Sequence, residues 1–328
     1  MNPAPFSDRL FEAVRRAGTP VAVGLDPHEE LLPREFRRAG GAPDLAAFGR
    51  RVLARIAGKV PAVKIQVAFY ERAGADGWSA LLATAHEARE RGLLVIADAK
   101  RADIRSTAEA YAEAFFPAFD ALTVSPYLGE DGVRPFITRA RRSGGGVFVL
   151  VRTSNPSAGE FQDLPVRGEP LHIVVGRRVA CWALENPGAC GYGDVGAVVG
   201  ATAPRELGTL RGAMPGVPFL VPGFGAQGAG AADVAPAFDS AGRGAIVAAS
   251  RGIVFAGKLA KDGEGAAGMR ISECGLRIEE SAIYNPHSAM EGGGRSPPPD
   301  EDWEEALDRA LARAVRDVAA VLPPGAML

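Results

Sequence analysis

Apolar residues along this chain come in short runs separated by longer amphipathic stretches. The runs at 20–26 (PVAVGLD), 62–66, 93–100, 121–126, 147–154, 195–201, 218–224 and 244–250 read as strands. They are largely apolar through their length, which suits strands buried on both faces. Stretches between them, such as 44–57 and 78–91, are amphipathic at helical spacing. Near the end, Trp303, Leu307, Leu311, Val315, Val318 and Leu322 fall on one face of a helix over 303–322. Eight buried strands alternating with helices predict an α/β protein, a (β/α)8 TIM barrel forming one domain over 1–328. The main alternative, a doubly wound open sheet, expects a GxGxxG after the first strand, and none follows it.

One segment breaks this rhythm. Residues 258–302 include GEGAAG, EGGG and PPP and separate the eighth strand from the last helix. They read as a Gly/Pro-rich surface insertion, with 271–278 a candidate short strand or hairpin. The alternative is a flap near the end of the eighth strand.

Chemistry concentrates at the end of the third strand, VIADAKRADI at 95–104. Asp98 and Lys100 stand two residues apart, so on a strand they share a face. Asp103 follows three further on. Charge at the end of a buried strand is costly unless paired. The cluster therefore points to chemistry, with a structural ion pair as the alternative. Ser106 and Glu109 have the spacing of a capping box that would open the next helix, leaving Asp103 in the turn. Barrels of this kind carry their sites at the C-terminal strand ends. Polar residues gather at the other ends as well: Asp26, Lys64, Ser125, Ser154, Thr202, and Ser250 with Arg251.

Two loops point to a phosphorylated ligand. PGFGAQG at 222–228 follows the seventh strand, and Ser250-Arg251-Gly252 follows the eighth. Loops at these positions often bind phosphate through backbone N–H groups, and Arg can hold phosphate through two hydrogen bonds.

Composition narrows the field. A net charge of -2 over 328 residues gives no reason to expect a nucleic-acid or anionic-membrane surface. No apolar run approaches the roughly 20 residues of a membrane span. The N-terminal stretch is broken by charge and lacks a signal-peptide core, so the cytoplasm is the expected location. Cys181, Cys190 and Cys274 form no CxxC, and His28, His86, His172 and His287 lack ligand spacing. Neither a disulfide framework nor a His- or Cys-based metal site is expected.

Beyond these features, ordered motifs run along the chain: GLDP at 24–27, VKIQVAFYE at 63–71, DAKRADIRSTAEAYA at 98–112 and SPYLG at 125–129. RTSNPSAGEFQ at 152–162, VVGAT at 198–202, PGFGAQG and Ser250-Arg251 complete the series. Together they resemble the orotidine 5'-phosphate decarboxylase family, and more closely its branch in mycobacteria and related bacteria. The resemblance covers roughly 6–256 and resumes in the last helix. It implies a (β/α)8 barrel, a homodimer with shared active sites, no metal and no organic cofactor. It maps the family's charged array onto Lys64, Asp98, Lys100 and Asp103. Asp103, Ile104 and Thr107 would enter the neighbouring subunit's site. Asp26 and Lys64 would bind ribose hydroxyls, and Ser154 the pyrimidine. Pro222 and Phe224 would line the base pocket, while Gln227, Arg251 and backbone at Ser250 would hold phosphate. Ala102 and Arg105 stand where this branch often has glycine.

The reaction so implied is loss of CO2 from orotidine 5'-phosphate to give UMP in pyrimidine biosynthesis, with Lys100 protonating the ring carbanion. Three alternatives differ in their needs. A Mg-dependent sugar-phosphate decarboxylase of the same superfamily would need a carboxylate where Lys64 stands. A Schiff-base aldolase would use Lys100 or Lys64 as nucleophile. A non-catalytic nucleotide-binding barrel would have no use for clustered acids and lysines.

Overall fold

The eight apolar runs form parallel strands, each ending within two residues of its expected limits. They are β1 Val21–Leu25, β2 Ala62–Gln66, β3 Leu94–Arg101, β4 Ala121–Val124, β5 Gly146–Arg152, β6 Val195–Val199, β7 Phe219–Pro222 and β8 Ala245–Ala249. This computed structural model describes residues 4–38, 40–225, 228–261 and 302–326. Each strand pairs with its sequence neighbours, and β8 closes the barrel onto β1 through Val21 opposite Val247. The (β/α)8 expectation holds.

Alternate strand positions face inward. Ala22, Ala62, Ile96, Ala121, Phe148, Val198, Leu220 and Ile246 fill the barrel. Helix α1 (Phe6–Ala17) plugs its lower mouth with Phe6, Leu10 and Val14. Phe6 meets the Phe148 ring edge-on at 5.8 Å. A Cβ on Gly146 would lie 2.3 Å from the Phe6 ring, so only glycine admits this plug. The outward positions pack against α2 (Leu45–Ile56), α3 (Gly74–Glu90), α4 (Arg105–Phe115), α5 (Glu130–Arg142), α6 (Leu171–Leu184), α7 (Pro204–Ala213) and α8 (Trp303–Ala319). Each fully buried aliphatic or aromatic side chain in this layer contributes about 1.5–3 kcal/mol. Polar inward residues therefore survive only at the upper mouth, where the site forms.

Two expectations change. Helix α4 opens at Arg105, with Ile104 at its cap and no side-chain capping bond, so the box of Ser106 and Glu109 does not form. Ser106 is already helical, and a capping side chain must sit on a non-helical residue. The Asp103 carboxylate instead accepts the Ile104 N–H at 2.8 Å. Helix α8 ends three residues before Leu322, although Val321 and Leu322 still pack against the core. It docks through Leu307, Leu311 and Val318, through Trp303 against Phe36 and Phe48, and through the ion pairs Arg51–Glu304 and Arg55–Asp308. Of the 258–302 segment, the first four residues continue the short helix Ala256–Lys261. Residues 262–301, with the 271–278 element, Cys274 and His287, lie outside the described residues. No helix among the described residues is long and apolar enough to cross a membrane.

Candidate active site

The upper ends of β1, β2 and β3 carry four charges, Asp26, Lys64, Asp98 and Lys100, into one small volume. In register, Gly24 of β1 stands beside Lys64 of β2, and Gln66 of β2 beside Asp98 of β3. Lys64 Nζ donates to Asp98 Oδ2 at 3.0 Å and to Asp26 Oδ1 at 3.3 Å. Lys100 Nζ donates to the other oxygen of Asp98, Oδ1, at 2.6 Å. Gln66 Nε2 and the Thr123 hydroxyl complete the Asp98 shell at 3.2 and 3.0 Å. That carboxylate accepts four hydrogen bonds, the full capacity of its two oxygens.

Burial and charge act in opposite senses here. Burial alone would raise the Asp98 pKa, but the ammonium groups of Lys64 and Lys100 hold it well below the usual carboxylate range. Burial would lower the Lys64 pKa, and Asp26 with Asp98 more than reverses this, so Lys64 stays charged. The cations differ in access. The Lys64 side chain is 5% exposed, whereas that of Lys100 is 45% exposed at the mouth.

Lys100 reaches this position through a bulge. The β3–β4 register runs from Ala97 opposite Leu122 to Arg101 opposite Val124, so three residues of β3 face the single residue Thr123. Lys100 itself is left-handed, with φ of 49°. On the outside of the bulge, Arg101 donates to the Ala99 carbonyl at 3.3 Å and pairs with Glu71. Its guanidinium lies 5.3 Å from the ring centres of both Tyr111 and Phe115.

The other predicted residues divide into two groups. Asp26 joins the array. Ser154 lies at the mouth beyond β5, and its carbonyl accepts the Thr202 hydroxyl at 3.2 Å. The side-chain amide of Gln162 braces that loop, accepting from the Thr153 N–H at 2.9 Å and donating to the Thr153 hydroxyl at 2.8 Å. Ser250 closes against β1: a Cβ on Gly24 would lie 2.4 Å from its Cβ. Pro222 ends β7, Phe224 is buried beyond it, and Arg251 makes no ion pair with a described residue. Gln227 lies outside the described residues.

Asp103, Ile104 and Thr107 do not reach the array within one chain. Ile104 is 46% exposed, and Asp103 has no cationic partner among the described residues. A cavity of about 620 Å³ lies behind the β7 and β8 loops, against α8, and none of the array lines it. Gln66 and Thr123 are the two array contacts that sequence reasoning did not single out. Their signal was a polar residue at an inward strand position: Gln66 two beyond Lys64, and Thr123 in the otherwise apolar β4.

Comparison with known proteins bears on this geometry. A sequence model of the orotidine 5'-phosphate decarboxylase / HUMPS family matches residues 19–266. The chain is 45% identical to an orotidine 5'-phosphate decarboxylase of Rhodopirellula baltica over 269 residues, covering 77% of this chain and 89% of the relative. It is also 45% identical to one of Streptomyces coelicolor, covering 76% and 90%. Among solved structures, the Leishmania donovani OMP decarboxylase superposes with a TM-score of 0.63 at 33% identity, covering 77% of this chain and 90% of that one. With matches of this extent laid over a closed barrel, the chain belongs to the orotidine 5'-phosphate decarboxylase / HUMPS family.

Proposed function

We propose that the Lys64–Asp98–Lys100 array decarboxylates orotidine 5'-phosphate to UMP and CO2, with Lys100 as the proton donor. The activity is that of a carbon–carbon lyase, as in the relatives. The observation that carries the assignment of roles is the difference in access. Of the two cations on Asp98, Lys100 is the one that opens widely to the mouth, so it is the one placed to deliver a proton to a substrate's reacting carbon.

The C6–carboxylate bond breaks and its electron pair stays on ring carbon 6. The Lys100 ammonium stabilises that charge and then delivers a proton to the same carbon, and solvent restores the proton to the lysine. Electrostatic stabilisation aimed at developing charge commonly lowers the barrier of such a reaction more than any other effect. Asp98 lies beside the departing carboxylate and orients Lys100. Asp26 and Lys64 bind ribose hydroxyls, Ser154 the pyrimidine, and Pro222 with Phe224 the base pocket. Arg251, Gln227 and backbone at Ser250 bind the phosphate. The phosphate grip is remote from the breaking bond, and its binding energy serves orientation and closure.

Lys64 argues against the Mg-dependent alternative. Its ammonium lies within hydrogen-bond distance of both Asp26 and Asp98, where a bridging divalent cation would have to sit. A homodimer with shared sites is part of the same proposal. Half-buried Asp103 precedes exposed Ile104, and its backbone runs beside Leu128; with Tyr127 these exposed side chains give apolar surface suited to a second copy. A cytoplasmic location completes it, in keeping with the free thiols Cys181 and Cys190.

The test follows the ultraviolet change of orotidine 5'-phosphate with EDTA present and Lys100→Ala alongside. Turnover by the wild type, cut at least about 100-fold in the variant, is the expected result. Loss of activity in EDTA would restore the metal-dependent reading. Equal rates in the two proteins would remove Lys100 from its role.

A further inference from the structure

We infer that Thr123 is the positioning residue that fixes the backbone and carboxylate on which Lys100 depends; this rests on the function proposed above. Thr123 stands alone on β4 opposite Asp98, Ala99 and Lys100. A parallel ladder supplies one backbone acceptor for each N–H, and here three residues of β3 share a single partner. The Thr123 side chain makes up the deficit. Its Oγ1 accepts the Ala99 N–H at 3.0 Å and the Lys100 N–H at 2.9 Å. Its own proton goes to Asp98 Oδ1 at 3.0 Å, the oxygen that also receives Lys100 Nζ.

A hydroxyl has one proton and two lone pairs. All three are committed here, so the hydroxyl has one orientation and no freedom to serve other partners. The residue is 1% exposed, so bulk solvent does not compete for these hydrogen bonds. The consequence falls on Lys100. Its φ of 49° is a conformation an L-residue holds only where its surroundings impose it. Thr123 imposes it from within the barrel, by holding the N–H groups on the bulge. Arg101 grips the neighbouring Ala99 carbonyl from outside. One side chain thus sets both the backbone from which the lysine springs and the carboxylate that aims it. Thr123 touches no substrate atom; it acts through Lys100 and Asp98.

Three proteins test this: wild type, Thr123→Val and Thr123→Ser. Valine keeps the shape and removes the hydroxyl; serine keeps the hydroxyl and removes the methyl. Thr123→Val should lower kcat about 10- to 100-fold, the scale of a misplacement near 1 Å, with KM changed less than threefold. Thr123→Ser should stay within about threefold of wild type in both constants, because the hydroxyl geometry is preserved. A packing role would instead cost the serine variant as much as valine, and that result overturns the assignment. So does an unchanged kcat in Thr123→Val. Should the valine protein not fold, Thr123→Ser against Thr123→Ala makes the same comparison. A crystal structure of the hydroxyl-free variant supplies the readout that does not depend on activity: Lys100 should leave the left-handed region. Its retention there overturns the proposal even if the wild type proves inactive on orotidine 5'-phosphate, an outcome that would sink the functional reading separately.

Discussion

Lys64 and Asp98 form a 3.0 Å ion pair between side chains only 5% and 10% exposed. Removing one member of such a pair typically costs about 3–5 kcal/mol, because a buried charge is then offset by fewer partners. Lys64→Met should lose that much in urea unfolding, and a loss below about 1 kcal/mol would mean that Lys100 and Gln66 suffice to hold Asp98. The pair also fixes the pH limits of stability. The folded pKa of Asp98 is depressed, so its contribution is present above the unfolded value near 3.9 and declines as pH falls below it. The folded pKa of Lys64 is raised, so its contribution is present below about 10.4 and declines only as pH rises beyond it. Asp98→Asn should therefore flatten the acid limb of a stability-against-pH curve measured between pH 2 and 5.

The barrel was legible because period and burial agree. Strands enclosed on both faces must be apolar throughout, and eight such runs leave little choice of architecture. The pairing of Asp98 with Lys100 was legible from their spacing, though the route to it was not. A regular strand would have carried Lys100 on the same face, whereas the chain uses a bulge and a left-handed residue. The bulge depends on Thr123, twenty-three residues beyond Lys100, and no local pattern encodes which residues of β4 face it. The capping box failed for a related reason. Ser106 and Glu109 have the right spacing, but the turn through Asp103 fixes where the helix opens.

Arg251 has no ionic partner among the described residues, so its guanidinium stands available to an anion. Arg251→Ala should raise KM for orotidine 5'-phosphate by about 10- to 100-fold, the value of one or two charge-assisted hydrogen bonds. Steady-state kinetics would check this. An unchanged KM would move the phosphate site elsewhere.

Asp103 sits outside the array of its own chain. If it completes a partner's site, an inactive Asp103→Ala protein and an inactive Lys100→Ala protein should complement each other. A heterodimer then holds one site with both lesions and one with neither. Equal mixing makes half the dimers heterodimers, so about a quarter of wild-type activity should return. Subunits exchanged in mild denaturant and assayed after refolding give the answer. Verified heterodimers without activity would place Asp103 in its own chain's machinery or outside the reaction.

Arg105 shares with Lys100 a φ of 49°, yet it has no ion pair with a described residue and is exposed. Lys100 holds that conformation at the end of β3; Arg105 holds it at the start of a helix, where glycine would adopt it without strain. A left-handed L-residue costs about 1–2 kcal/mol, partly offset by the greater freedom glycine has when unfolded. Arg105→Gly should thus stabilise the protein by about 0.5–1 kcal/mol and raise Tm by a few degrees. A lower Tm would mean that the arginine side chain makes a compensating contact, such as one across a subunit interface.

The last helix is anchored by contacts with described residues of the barrel's outer layer. Trp303 packs on Phe36 and Phe48, and Arg51 and Arg55 pair with Glu304 and Asp308. The helix Ala256–Lys261 lies against the start of α8: a Cβ on Gly257 would be 3.1 Å from the Ala306 Cβ and 3.9 Å from the Trp303 Cα. Lys261 is one helical turn further on, about 6 Å along the axis, so the gap to Asp302 is on the order of 10 Å. About eight Gly/Ser residues in place of 262–301 span it with slack. The shortened protein should fold with kcat and KM within about threefold of wild type, as expected of a surface insertion. A KM raised more than tenfold at unchanged kcat would instead assign the segment to the phosphate end of the site, next to Arg251. Measuring the two constants separately therefore decides between an insertion that only decorates the barrel and one that helps to hold its substrate.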